Sequence, residues 1–419
     1  MTIPLRLAPT GYPTATPAAL AVPTCRVHPV VRLALFIYVL SIPFEFPRRT
    51  IPLEIPTLTG LIYLVTTVLN PGLAFRRIPA AVFWFGLHLW VLAAVSIYMQ
   101  IEQRDLAAKQ FVLLVQLLLL MWTMYNLMAD PRVVRGVLIA IVVACAVRAG
   151  LQVAGVGTSS YHVWTGGERV TAFGQNANLS AMILSAGLVT VLGLHTIRER
   201  WLPRFGLLAL PLAAIMGWAI VQTGSRGGVI CAAAGLAVFA FAGRTTRQRI
   251  RNGFLGLLAL GVLIWGVSRS EVMRERFVAA AETGALAGRE RIWPAALEMI
   301  QERPLFGWGL VDNQYEMGHR IAYKLPFRDM HNLFLEIFTN SGAVGAVPFL
   351  IGILLCVIAA WRARRGPLGV LPLAMAGAIL IGTMSGTWIA SKILWLALTI
   401  GLAAGAHWST RSPADGGTV

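Results

Sequence analysis

The sequence predicts an all-α integral membrane protein of about twelve transmembrane helices with one large outer loop holding short amphipathic helices. Three observations predict it. Apolar runs recur along the chain, most of them near the ~20 residues that cross ~30 Å of hydrocarbon. Of the 419 residues 57% are hydrophobic and 13% charged, against about 25% charged in a soluble domain. That is too little charge to clothe a water-exposed surface. The short loops between the runs are rich in arginine, the pattern that orients membrane helices.

In chain order, residues 1–29 are Pro- and Thr-rich and lack the apolar stretch of a cleavable signal peptide. They read as a mobile cytoplasmic tail. Residues 30–268 hold nine spans, at about 30–46, 54–72, 79–99, 106–128, 133–155, 178–195, 205–223, 227–243 and 253–268. A polar interval, 269–330, follows. Residues 331–406 hold three more spans, at about 332–361, 367–385 and 388–406. The first of these is long enough to be broken near Ser341-Gly342. Residues 407–419 form a second tail. One set of short loops carries about twice the Lys and Arg of the other, and the richer side is cytoplasmic. Both tails are then inside and 269–330 is outside. Neither strand periodicity nor an internal repeat is visible.

The outer interval has order of its own. Ile292, Trp293, Ala296, Leu297 and Ile300 recur at helical spacing after Arg289, and Pro304 and Gly307-Trp308-Gly309 end the pattern. The spacing predicts an amphipathic helix and a glycine turn lying over the outer membrane face. Its Trp residues, Tyr315 and Tyr323 read either as interfacial anchors or as stacking platforms for sugar rings.

The formal charge is +17. A nucleic-acid partner would call for positives gathered on one face or tail; here they sit in loops, which points to topology and contact with anionic lipids. Cys145, Cys231 and Cys356 lie inside apolar runs and Cys25 in the tail, with no CxxC, so disulfide and zinc readings are weak. The sequence has no Walker A, Asp-x-Asp, Gly-x-Ser-x-Gly or His-Glu-x-x-His. The expectation is an activity with no metal and no cofactor.

Three features carry chemistry. Thr223-Gly224-Ser225-Arg226-Gly227-Gly228 falls between two spans at their outer ends. It reads equally as a tight turn with a snorkelling arginine or as an anion cradle. In the cradle, Ser225 and the helix N–H groups surround an anion that Arg226 grips. Gly288-Arg289-Glu290-Arg291 opens the amphipathic helix; Arg291 reads more as a surface charge than Arg289, which follows a glycine. Arg328-Asp329-Met330-His331-Asn332 opens the tenth span. His331 reads as an interfacial residue or as a proton carrier, the side chain suited to that near neutral pH. Arg148 lies inside the fifth span, where a charge faces the bundle interior or pairs. Gln175 and Asn176 precede the sixth span and either bind sugar hydroxyls or cap a helix. Glu45, His88, Lys109 and Lys392 read as structural.

These pieces, taken in order, resemble the O-antigen ligase/polymerase superfamily. The resemblance rests on Thr223-Gly224-Ser225-Arg226-Gly227, Gly288-Arg289-x-x-Ile292-Trp293, Pro304-Leu305-Phe306-Gly307-x-Gly309, His331-Asn332-x-Phe334-Leu335-Glu336 and Gly342-x-x-Gly345. It covers roughly residues 170–350; the earlier spans match only in hydropathy. The sequence departs from the pattern in having Trp308 between the glycines and Arg291 beside Arg289. The resemblance implies a glycosyltransferase of the bacterial inner membrane, related to the GT-C enzymes, whose active site faces the periplasm. The implied donor is a glycan on undecaprenyl diphosphate and the implied acceptor a sugar hydroxyl of lipid A–core. By the same resemblance His331, Arg226 and Arg289 are the catalytic positions. The chemistry of these groups adds the expectation of His331 as base, with Asp329 or Glu336 orienting it and Asn332 among the substrate-binding residues. Arg148 is matched by place alone. The rival readings are an O-antigen polymerase or a protein O-oligosaccharyltransferase of the same superfamily, and a secondary transporter. The short C-terminal tail speaks against the second, and the clustering of polar candidates at the outer boundary against the third.

Overall fold

The computed structural model describes residues 26–45, 54–162, 168–197, 202, 205–240, 246–284 and 286–409. Most of the predicted tails, Cys25 and several loop arginines of the orientation count (Arg48, Arg49, Arg198, Arg200, Arg204 and Arg244) lie outside those residues.

The chain runs as α1 (Pro29–Ser41), α2 (Ile55–Thr66), α3 (Pro71–Ala74), α4 (Ala80–Tyr98), α5 (Arg104–Leu127), α6 (Pro131–Val153), β1 (Thr158–His162), β2 (Glu168–Ala172) and α7 (Ala177–Thr196). Then come α8 (Ala209–Gln222), α9 (Arg226–Ala240), α10 (Thr246–Arg269), α11 (Glu271–Thr283), α12 (Arg289–Glu302), α13 (Asp312–Arg320), α14 (Leu333–Ala363), α15 (Leu371–Gly382) and α16 (Lys392–His407). Every apolar run of the sequence is a helix. Among the described residues six are long and apolar enough to cross a membrane: α4, α5, α6, α7, Arg249–Arg269 of α10, and α14; six more are shorter apolar helices. The described residues are all-α apart from one hairpin.

Helix starts are written in side chains. Asp130 caps α6 by accepting from Arg132 N at 2.8 Å, and Pro131 fills the first position, where no N–H is needed. Asn176 caps α7 and Asn332 caps α14, each accepting from two backbone N–H groups. In the interior, small residues set the helix spacing, as expected where packing rather than water drives association. A Cβ on Gly228 would stand 2.1 Å from Ala181 Cβ, and one on Gly235 2.5 Å from Val189. Helix α7, pressed between α6, α8 and α9, is the centre of the bundle.

Buried polar groups hold the bundle's ends. Lys392 Nζ lies 3.0 Å from Glu45 and 2.7 Å from Glu54, tying α16 to the α1–α2 connection. His88 Nδ1 lies 2.8 Å from the Gly345 carbonyl. Both fit the structural roles read from the sequence.

Two expectations need correction. The chain has strands: β1 and β2 pair antiparallel, Thr158 opposite Ala172 and Tyr161 opposite Arg169. Five-residue strands are short for a period-two signal, and the buried positions of β2 include Arg169 and Thr171, so hydropathy is no guide there. The amphipathic helix exists as α12, but Ile292, Ala296 and Met299 bury themselves against Met317 and Met330 in a small core of their own. That face is covered by protein.

Helix α14 breaks where the sequence expects. Gly342 has φ 57° and ψ −166°, a backbone shape open to glycine. The segment after α12 docks into the break: Trp308 N donates to Thr339 O at 2.8 Å, Gly309 N to Asn340 O at 2.9 Å, and Ala343 N to Pro304 O at 2.8 Å. A Cβ on Gly307 would lie 2.7 Å from Gly342 N, and one on Gly342 2.2 Å from Leu305 C. The Pro304–Gly309 and Gly342 motifs are thus two halves of one backbone joint.

Candidate functional site

The site is built around the turn before α9. Gly224 takes φ 60°. Ser225 Oγ donates to Asn178 Oδ1 at 2.8 Å and accepts from Gly228 N at 3.0 Å, so it caps α9. Arg169 from β2 lies across the turn, its Nε donating to Thr223 O at 2.7 Å. A Cβ on Gly224 would stand 3.1 Å from Arg169 Cγ; glycine here lets the arginine pass. Arg226 leaves the turn and donates from Nη1 to Arg276 O of α11 at 2.7 Å.

Arg289 reaches the same region from α12. Two left-handed residues, Ala287 and Gly288, turn the chain before it. Glu290 closes that turn, accepting from Gly288 N and Leu286 N at 3.2 Å each. Arg289 Nη2 donates to Ser385 O at 2.8 Å and Nη1 to Leu286 O at 2.9 Å. Ser385, just beyond α15, also abuts Gly227, where an added Cβ would meet its Cβ at 2.7 Å. Burial pushes the Arg289 guanidinium below its ordinary pKa, and the nearby Arg226 pushes it further down; Asp329 opposes this. Two guanidiniums held within mutual repulsion are a charge arrangement that an anion would relieve.

His331 completes the cluster. Its Nδ1 lies 2.9 Å from Asp329 Oδ1, and its backbone has φ 48°. A left-handed histidine costs about 1–3 kcal/mol unless its surroundings hold it, and such residues gather at functional sites. Asn332 holds it by capping α14, and Glu336 holds the strand before it. Glu336 is fully buried and accepts from Asn313, Gln314 and Met330 N at 3.1, 3.0 and 3.4 Å. Of the two carboxylates considered for the imidazole, Asp329 is the one in contact.

The other candidates separate. Arg291 is exposed on α12. Asn176 serves as a helix cap. Gln175 donates to the Glu45 carbonyl at 3.2 Å. Arg148 is fully buried in α6 and donates to Ser180 Oγ at 2.5 Å; its Nε and Nη1 have no hydrogen-bond partner. It makes no hydrogen bond to Arg226, Arg289 or His331 among the described residues. Trp308 is stacked under Arg303 at 3.8 Å and donates from Nε1 to Met299 O at 3.0 Å, so one ring face is covered by protein. Arg169, Asn178 and Ser385 were missed by motif reading. Asn178 lies two residues past Asn176, within reach of the same reading; Ser385 acts through its carbonyl, which leaves no signal in the sequence.

No curated protein matches the chain. Residues 211–350, about a third of its length, match the family model described as O-antigen ligase, and they span the turn before α9, α12 and the first half of α14. Over those residues the chain is similar to the O-antigen ligase family, which supports its place in the O-antigen ligase/polymerase superfamily.

Proposed function

We propose that this protein is an O-antigen ligase. It transfers a glycan from undecaprenyl diphosphate to a sugar hydroxyl of lipid A–core at the periplasmic face of the inner membrane. In this reading all twelve apolar helices span, both tails are cytoplasmic, and residues 269–330 face the periplasm. The observation that carries the reading is the convergence of Arg226, Arg289 and the Asp329–His331 pair from α9, α12 and the start of α14.

The mechanism follows from these groups. Asp329 accepts from His331 Nδ1–H, which leaves Nε2 as the basic nitrogen. Nε2 takes the proton of the acceptor hydroxyl as its oxygen attacks the anomeric carbon of the donor. The new C–O bond forms as the bond from that carbon to the diphosphate oxygen breaks. The electron pair goes to undecaprenyl diphosphate, and the proton stays on His331 until solvent takes it. Arg226 and Arg289 stabilise the growing phosphate charge. Diphosphate leaves readily, so no general acid is needed, and the arginines stand where other enzymes place a metal. A single displacement inverts the anomeric configuration.

Deletion of the gene in its host, followed by size separation of the lipopolysaccharide, tests the assignment. Loss of a ligase leaves core without O-antigen while lipid-linked polymer accumulates. Core carrying a single repeat unit would instead identify a polymerase.

A further inference from the structure

A groove of about 430 Å³ opens between the end of α4 and the start of α5. Ala93, Ile97, Ala108, Phe111 and Leu310 give it apolar walls, and Arg104 is the one charged residue lining it. We propose that this groove binds an acyl chain of the acceptor lipid and that Arg104 binds a phosphate of that lipid. The proposal rests on the ligase reading, which requires two lipid substrates at once.

Two observations carry it. The lining suits an anionic lipid: mostly apolar, with Ser96 and Gln100 as neutral polar members and a single guanidinium. Arg104 is the first residue of α5. Its Nε donates to Ile101 O at 3.2 Å, which orients the fork. Among the described residues no carboxylate pairs with it.

The second observation is the frame that joins the groove to His331. Leu310 N lies 3.3 Å from Ser96 Oγ, and the Asp312 carboxylate accepts from Glu102 N and Gln103 N at 2.7 and 3.0 Å. The next two residues, Asn313 and Gln314, donate to Glu336. Glu336 in turn receives the N–H of Met330, which precedes His331. The groove wall and the histidine loop therefore share one hydrogen-bonded frame. The arginines given to the donor diphosphate hang instead on α11 and on Ser385. The base acts on the acceptor hydroxyl, so the groove tied to the base belongs to the acceptor.

The test uses the full chain in nanodiscs with a photoreactive benzoylphenylalanine at position 108. The probes are phosphorylated lipid A–core, the same lipid after phosphatase treatment, phosphatidylglycerol and undecaprenyl diphosphate. The phosphorylated acceptor should label, the dephosphorylated one about tenfold less, and Arg104→Ala should lower the first to the level of the second. Ala108→Trp should raise KM for the acceptor about tenfold and leave KM for the donor unchanged. Equal labelling by phosphatidylglycerol would overturn the proposal, as would preferential labelling by undecaprenyl diphosphate. Ligation with unchanged acceptor KM in the Trp variant would overturn it too. Selective labelling by the acceptor in a protein that does not ligate would sustain the groove and refute the ligase reading.

Discussion

The imidazole Nδ1 of His331 lies 2.9 Å from a carboxylate oxygen of Asp329, two residues earlier in the chain. Because Met330 between them is buried in the small core under α12, the pair is anchored rather than draped on the surface. Asp329 is placed to fix the ring's tautomer and its direction. Asp329→Ala should lower kcat by about tenfold or more, short of the full ~10²–10⁴ that a general base contributes. Asp329→Asn keeps an acceptor oxygen and should fall between Ala and wild type. Single-turnover rates with purified protein check the order; an Ala variant at the wild-type rate would remove Asp329 from the mechanism.

Arg226 and Arg289 should bind the donor's diphosphate together. Each Ala variant should lose about 10²–10³ in kcat, the cost of one preorganised stabilising donor. Arg226→Lys should recover little, since a point charge does not replace a bidentate fork. Burial and the neighbouring Arg226 hold Arg289's pKa down, so an anion relieves a penalty built into the fold. Saturating pyrophosphate should therefore raise the wild-type Tm; a ligand at ~100 times its Kd stabilises by about 2.7 kcal/mol. Either Ala variant should abolish the shift.

Arg169 holds the turn rather than the substrate. Its bond to Thr223 O and its place over Gly224 fix the loop from which Arg226 departs. Arg169→Ala should reduce kcat through misplaced Arg226 and weaken the pyrophosphate-induced Tm shift. Gly224→Ala should do the same, because its Cβ would press on Arg169 Cγ at 3.1 Å and the residue holds φ 60°. If both variants keep the full shift, the turn is not what positions Arg226.

Much of this was legible beforehand, for identifiable reasons. Apolar runs near span length marked every long helix, and Ser341-Gly342 inside an overlong run marked the break in α14. Arg226 and His331 stood out as charged or titratable groups at span ends, and Arg289 as the arginine after a glycine that opens the outer amphipathic helix. The contribution of Ser385 was not legible because it acts through its carbonyl, which every residue possesses. Asp329 and Glu336 were indistinguishable as partners of His331, because the non-helical backbone there, with φ 48° at His331, decides which faces the ring. Arg148 is buried inside α6, but a place inside a span does not say which neighbour the helix turns it towards; its hydrogen-bond partner is Ser180. The hairpin escaped because its buried face carries Arg169.

The joint between the Pro304–Gly309 segment and α14 should be sensitive to single methyl groups. Gly342→Ala would place a Cβ 2.2 Å from Leu305 C at a left-handed φ, costing at least the ~1–3 kcal/mol of a non-glycine there. Gly261→Ala in α10 meets nothing within 4 Å and should be neutral or stabilising. Detergent-solubilised Tm and membrane abundance compare the two; equal behaviour would mean that the joint is not closed.

The central claim is that His331 removes the acceptor's proton, and the ligation rate of purified His331→Gln across a pH series tests it most directly. The wild-type rate should fall on acidification, as a histidine base is lost when protonated. His331→Gln should ligate at least ~10²-fold more slowly and show no acid limb, while donor binding survives on the arginines. His331→Gly relieves the left-handed backbone and should fold at least as stably as wild type, which separates lost chemistry from lost structure. A Gln variant that keeps a substantial rate and the wild-type acid limb would contradict the account and leave His331 as a clamp for the acceptor.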